Sequence, residues 1–129
     1  MKIAVLVREE TMQRCTGKGC LNAFFQRKDA FSEYDEHVEL VTFSHAGGDL
    51  DHKMEMMIKN GVNVVHLSSC MRGKAENYEE LAMRLSEHFE VVGYTHGSEE
   101  GKERATITKK KLVTRTDCDK IATGGSNSA

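Results

Sequence analysis

The sequence contains no proline and no tryptophan, and only 6% of its 129 residues are aromatic. The absence of proline excludes any mechanism that needs a cis-proline beside a redox cysteine pair, as thioredoxin folds do. Long apolar runs are also absent, since no stretch of the chain approaches the ~18 residues that a membrane span needs. The apolar residues 3–7 are followed at once by Arg8, Glu9 and Glu10 and are too few for a signal peptide. We therefore expect a cytoplasmic protein with no membrane partner and with reduced cysteines.

Charge is nearly balanced overall, with 18 basic and 20 acidic side chains and a net charge of −2, but it is unevenly spread. Residues 1–101 hold 11 basic and 17 acidic groups (−6), whereas residues 102–120 hold 7 and 3 (+4). An acidic main part argues against nucleic acid as a partner. The 39% of hydrophobic residues suits one globular domain, which we expect over residues 1–101.

Apolar residues recur with the periods of strands and helices in turn. Helical spacing predicts a helix over residues 18–30, a second between Asp49 as its cap and Gly61 as its end, and a third from Tyr78 to Phe89. Apolar runs predict four strands between and beside them, at residues 2–7, 37–43, 62–67 and 89–95. This alternation predicts a single-domain α/β fold, an open and mainly parallel sheet with helices on both faces. A flavodoxin-like strand order is the simplest expectation for so small a sheet.

The pattern decays after His96, and residues 102–129 read as a basic extension. Residues 106–108 and 112–113 are candidates for an edge strand in this extension. The last residues, 124–129, are rich in glycine and serine and predict a flexible end.

Cysteine and histidine follow the predicted strands, at the ends where parallel strands place binding sites. Two cysteines follow the first strand, a histidine the second, a cysteine the third, and a histidine ends the fourth; these are Cys15, Cys20, His45, Cys70 and His96. Thiolate and imidazole are the ligands that zinc and iron prefer, so the sequence predicts a metal ion as partner and cofactor here. Ser68 and Thr95 lie beside these residues and are expected to donate hydrogen bonds to them.

Other interpretations of these residues stay open. Cys70 follows an apolar strand and is equally well explained as a buried, inert thiol. His45 precedes Ala46-Gly47-Gly48 and is equally well explained as part of a turn. Surface positions suit His37, His52 and His88, and helix packing suits Met54, Met56 and Met57.

The chain resembles the CGGC-domain proteins over about residues 1–97. The similarity rests on the loop from Cys15 to Leu21, on the His66-Leu67-Ser68-Ser69-Cys70 stretch, and on Tyr94-Thr95-His96. The resemblance implies a small α/β protein that binds zinc or iron through cysteine and histidine, with no established reaction. The chain departs from the family where its name predicts Cys-Gly-Gly-Cys, since it reads His45-Ala46-Gly47-Gly48 there. With those two thiols missing, a site can still be built from Cys15, Cys20, Cys70 and one histidine. A weaker site, an iron site with open positions, and no bound metal are the alternatives.

A competing hypothesis makes the protein a thiol enzyme. The loop from Cys15 to Cys20 resembles the oxyanion-binding loop of low-molecular-weight phosphatases and arsenate reductases, in which a cysteine at a helix N-terminus is the nucleophile. The arginine that should follow Cys20 is Leu21, and the Asp-Pro general acid is excluded by the lack of proline. A dithiol redox role, with Cys70 as the resolving thiol, and a flavin-binding module on Gly17 and Gly19 are further alternatives. We expect metal binding to be the function, with Cys118 outside the ligand set.

Overall fold

The computed structural model describes residues 1–101 and 105–111. Two 3₁₀ turns, Thr11–Gln13 and Asp29–Phe31, flank the first helix. No helix in the described ranges is both long and apolar enough to cross a membrane. The strands and α-helices of these residues are β1 (Lys2–Val7), α1 (Lys18–Gln26), β2 (Glu39–His45), α2 (Leu50–Lys59), β3 (Val64–Leu67), α3 (Ser69–Lys74), α4 (Tyr78–Leu85), β4 (Glu90–Val92) and β5 (Thr108–Lys109).

The strands form one sheet in the order β2-β1-β3-β4-β5. The first four strands are parallel, and β5 pairs antiparallel with β4 through Val91↔Lys109 and Val92↔Thr108. The prediction of an open, mainly parallel α/β sheet is confirmed. Because β5 runs antiparallel to β4, a flavodoxin-like sheet is not confirmed. The division of the chain at residue 101 stays a prediction, and residues 112–113 and 124–129 lie outside the described residues.

Strand β1 is buried on both faces because it lies inside the sheet with helices above and below. Its odd-numbered residues Ile3, Val5 and Val7 pack with α1 and Phe31. Its even-numbered residues Ala4 and Leu6 pack with α2, α3 and α4 on the other face. Each such Val, Leu or Ile side chain stabilises the fold by about 1.5–3 kcal/mol when fully buried. The predicted helices on both faces are confirmed.

Helix α3 is absent from the sequence prediction, which placed Cys70 in a loop. Its N-cap is Ser68, whose Oγ accepts a hydrogen bond from the Met71 backbone N–H at 3.3 Å. Arg72 and Lys74 lie in its last turn, where positive charge suits the helix dipole. A helix of six residues is too short to show the apolar period by which longer helices are recognised. The correction matters because Cys70 belongs to a helix whose first turn is fixed.

The remaining differences from prediction are at element ends. Helix α1 ends at Gln26, because Arg27 adopts the left-handed conformation, with φ +54°, and its backbone N–H bonds back to Ala23 and Phe24. Helix α2 begins after Asp49 as predicted, since the Asp49 carboxylate accepts the His52 N–H at 3.0 Å. Strand β2 continues to His45, and β4 is limited to Glu90–Val92. These shifts do not change which edge of the sheet holds the carboxyl ends of the parallel strands. We call this edge the rim.

Candidate functional site

The site lies where the chain leaves β1 and β3 toward opposite faces of the sheet. The connection after β1 leads to α1 on one face, and the connection after β3 leads directly into α3 on the other. Such a divergence between neighbouring parallel strands opens a crevice at their carboxyl ends, the usual ligand position in open α/β sheets. Cys20 and Cys70 lie in the first turns of these two helices.

Cys20 is a buried thiol, with 7% of its surface exposed. Its Sγ lies 3.2 Å from Thr95 Oγ1, which follows β4. Burial raises the pKa of Cys20, the Thr95 hydrogen bond opposes this shift, and the neighbouring thiols of Cys70 and Cys15 add to it. The thiol is therefore protonated at neutral pH in the absence of a cation. Cys70 and Cys15 therefore both lie close enough to Cys20 to act on its charge.

Cys70 is half-buried at the start of α3. Its Sγ lies 2.8 Å from the hydroxyl of Ser68, the fully buried cap of that helix. Ser68 and Thr95 thus each contact a cysteine sulfur. Both hydroxyls can donate to a thiolate, so each thiol has a partner that stabilises its charged form.

Ser69 connects α3 to the end of β4, and sequence reasoning missed this role. Its Oγ donates to the His96 carbonyl at 2.5 Å and accepts the backbone N–H groups of His96, at 3.1 Å, and Thr95, at 3.3 Å. The Ser69 backbone N–H in turn donates to Thr95 Oγ1 at 3.3 Å. This network fixes Thr95 and His96 beside both cysteine-bearing helices. The signal in the sequence was the serine doublet directly before Cys70.

His96 is exposed at the rim and lies against the first turn of α1. A Cβ built on Gly19 would lie 3.0 Å from His96 Nε2, so only glycine lets the imidazole approach this closely without a shift. The ring therefore lies one residue from Cys20 along the helix. Of the two predicted histidine ligands, His96 is the one that contacts the cysteine-bearing helix.

Cys15 is exposed in the connection before α1. Its Sγ accepts the Gly17 backbone N–H at 3.3 Å. Gly17 is the N-cap of α1 and has φ +84°, with the Phe43 ring packed below it. The glycine thus permits the tight turn that carries Cys15 to the start of the helix.

His45 is held by its own turn at the end of β2. Its Nδ1 accepts the Gly47 N–H at 3.0 Å, and its carbonyl accepts the Lys53 ammonium at 2.7 Å. Ligation through Nε2 of a neutral imidazole places a proton on Nδ1, which would break the Gly47 bond. The arrangement favours the interpretation of His45 as a turn residue.

The cysteines and His96 gather at one rim, but they do not surround a common point. Among residues 1–101 and 105–111, no group of three or more His, Cys, Asp or Glu side chains is arranged to hold a metal ion. Three thiols and an imidazole fit zinc or ferrous iron by their chemistry. Ligation by all of them would need these side chains to come closer together than they lie in this structure.

The fold and this rim define a small α/β domain with a cysteine cluster at the carboxyl end of a parallel sheet. A family model described as CGGC domain matches residues 2–96. The chain therefore belongs to the CGGC-domain family, as its sequence resemblance predicted. No significant match was found among curated proteins or among solved structures.

Proposed function

We propose that this domain binds a transition metal ion, zinc or iron, through Cys15, Cys20 and Cys70, with His96 as the fourth ligand. The observation that supports it best is that Cys15 and Cys70 both lie close enough to the buried Cys20 to act on its charge, while Cys20 and Cys70 each contact a hydroxyl group. Membership of the CGGC-domain family agrees with a metal-binding role. We place the protein in the cytoplasm, where these thiols stay reduced.

The residues around the thiols have defined tasks in this proposal. Metal binding requires thiolates, so Cys20 must release its proton even though burial favours the thiol. The hydroxyls of Thr95 and Ser68 then donate to the thiolates of Cys20 and Cys70. A bound zinc or iron ion would supply structural cross-linking or Lewis acidity, and nothing in the chain selects between them.

Metal titration tests the proposal directly. Reduced, chelator-treated full-length protein is titrated with Zn²⁺, and separately with Fe²⁺ under anaerobic conditions, against a chromophoric indicator. We expect one ion per chain, an affinity that falls as pH drops, and at least about a hundredfold weaker binding in Cys70→Ala.

Cys118→Ala is the matched control, because Cys118 lies between Asp117 and Asp119 in a part of the chain outside the described residues. We expect it to bind metal like the parent protein. Equal metal content and affinity in the two variants would show that Cys70 is not a ligand and would contradict the proposed site.

A thiol enzyme centred on Cys15 is the second candidate. It is supported by the exposure of Cys15, by its position ahead of α1, and by the Gly17 N–H that points to its sulfur. The absence of arginine after Cys20 and the buried, protonated state of that thiol oppose it.

Alkylation of Cys15 separates the two candidates. A metal-bound Cys15 should resist iodoacetamide until a chelator is added, and inorganic phosphate should give no protection. We expect this behaviour, together with no hydrolysis of an aryl phosphate. If Cys15 of the metal-loaded protein is alkylated fast and phosphate slows the reaction, the thiol-enzyme hypothesis is favoured instead.

A further inference from the structure

A second concave site lies on the face of the sheet opposite α1. It is a cavity of about 460 Å³ beyond the carboxyl ends of β1 and β2. Its apolar lining comes from Ala46, Met71 and Ala75, which belong to or pack against the core on the side of α2, α3 and α4. None of its lining residues is a cysteine or a histidine, so it is distinct from the thiol cluster.

Charges of both signs surround this apolar lining. Arg8, Glu9 and Glu10 come from the connection after β1, and Lys74 and Glu76 from the end of α3. Glu10 lies within ion-pair distance of Arg8, at 3.8 Å. In the part of the chain that the structure describes, the charges of Lys74, Glu9 and Glu76 form no ion pair. An anion and a cation can therefore each find an uncompensated partner at this rim.

On one side of the cavity, Glu9 closely approaches the turn after β2. The Glu9 carboxylate lies against the backbone of Gly47, where any Cβ would collide with it. The Gly47 carbonyl in turn accepts the Lys53 ammonium at 2.8 Å. The Glu9 carboxylate thus lies beside a glycine turn whose carbonyl is bound by a side chain of helix α2.

We propose that this cavity binds a free amino acid with an apolar side chain. Its volume falls in the range of about 300–1,000 Å³ typical of small-molecule sites, and it lies at the strand ends where such sites occur. A simple anion would meet three carboxylates there, and a simple cation would meet Arg8 and Lys74. A zwitterion satisfies both signs, with Lys74 facing its carboxylate, Glu9 its ammonium, and Met71 and Ala75 its side chain.

Ligand-observed NMR on the reduced, metal-free full chain tests this proposal. Leucine, methionine and valine are the probes, each compared with its N-acetyl and its amide derivative, which carry one charge. We expect at least one free amino acid to bind with a Kd of about 1 mM or tighter, and its single-charge derivatives at least about tenfold more weakly. Absence of binding by all three, or equal binding by the derivatives, would overturn the proposal.

Two substitutions identify the cavity as the binding site. Lys74→Ala and Glu9→Gln should each weaken binding of the best probe about tenfold or more. Lys59→Ala is the matched control, because Lys59 is also an exposed lysine in the last turn of a helix. Unchanged binding in both cavity variants would refute the assignment. Cys20→Ala should keep amino-acid binding, so failure of the metal site and failure of this site are distinguishable.

Discussion

Cys20 and His66 are both buried titratable side chains on the α1 face of the sheet, but their surroundings differ. His66 donates from Nδ1 to the Tyr94 carbonyl at 3.2 Å, so its Nε2 accepts the Tyr34 hydroxyl at 2.7 Å. Both ring nitrogens are satisfied, and the ring packs on Phe31. Cys20 has one hydroxyl partner and two neighbouring thiols, and the exposed imidazole of His96 lies against the preceding residue, Gly19.

The comparison contrasts a buried polar group that stabilises the fold with one that we propose as a metal ligand. Burial lowers the pKa of His66 to about 4, and burial, with Glu90 nearby, raises the pKa of Tyr34 to about 12. The pair is therefore neutral across the physiological range and holds the connection after α1 to the sheet. Cys20, in contrast, lies near other thiols, and a bound cation would stabilise its thiolate form.

The largest expected effect is on stability, from His66→Ala. The change leaves the Tyr34 hydroxyl and the Tyr94 carbonyl without their partner and opens a void beside Phe31. We expect the free energy of unfolding to fall by about 3–5 kcal/mol, measured by urea denaturation. His88→Ala, at an exposed histidine, should change it by less than about 0.5 kcal/mol. Similar losses in the two variants would contradict the structural role of His66.

The next effect is the pH dependence that His66 causes. Its folded pKa lies below the usual histidine value, so between pH 6.5 and 4 the unfolded chain binds more protons than the folded one. Stability is therefore fully present above about pH 6.5 and falls by about 3 kcal/mol as pH drops to 4. His66→Gln should lack this component when urea denaturation of both proteins is compared at matched pH values. Equal pH slopes would mean that His66 has the same pKa in the folded and the unfolded chain, which would contradict the burial effect.

Sequence reasoning succeeded where a signal is periodic. The apolar run at residues 2–7 predicted strand β1, and the cap at Asp49 predicted the start of α2. It failed at the site where single hydrogen bonds decide the geometry. The apolar pattern does not reveal helix α3 or the Ser69 network that fixes His96, for which the serine doublet before Cys70 was the one signal. The two interpretations of His45 needed coordinates, because they differ only in what Nδ1 contacts.

Thr95→Val tests the hydroxyl partner of Cys20 at nearly constant volume. The substitution removes the contacts of Thr95 Oγ1 with Cys20 Sγ and with the Ser69 N–H. We expect about tenfold weaker zinc binding and a loss of about 1 kcal/mol in unfolding free energy. Thr16→Val makes the same change at an exposed threonine of the Cys15 loop and should alter neither quantity. A stability loss with unchanged zinc affinity would show that the Thr95 hydroxyl stabilises the fold, as the Tyr34 hydroxyl does, and does not support metal binding.

The smallest effect on stability is expected from Gly19→Ala, which contrasts exposed His96 with buried His66. The new methyl group would lie 3.0 Å from His96 Nε2, and the imidazole can move aside because it is exposed. Alanine also favours a helix over glycine by about 0.5–1 kcal/mol, so the unfolding free energy should stay within about 0.5 kcal/mol of the parent value. If His96 is a ligand, its displacement should nonetheless weaken zinc binding severalfold. Gly73→Ala in α3, where the methyl group meets nothing within 4 Å, should leave zinc affinity unchanged. Parental affinity in both variants would remove His96 from the ligand set and leave the three thiols to bind the ion without it.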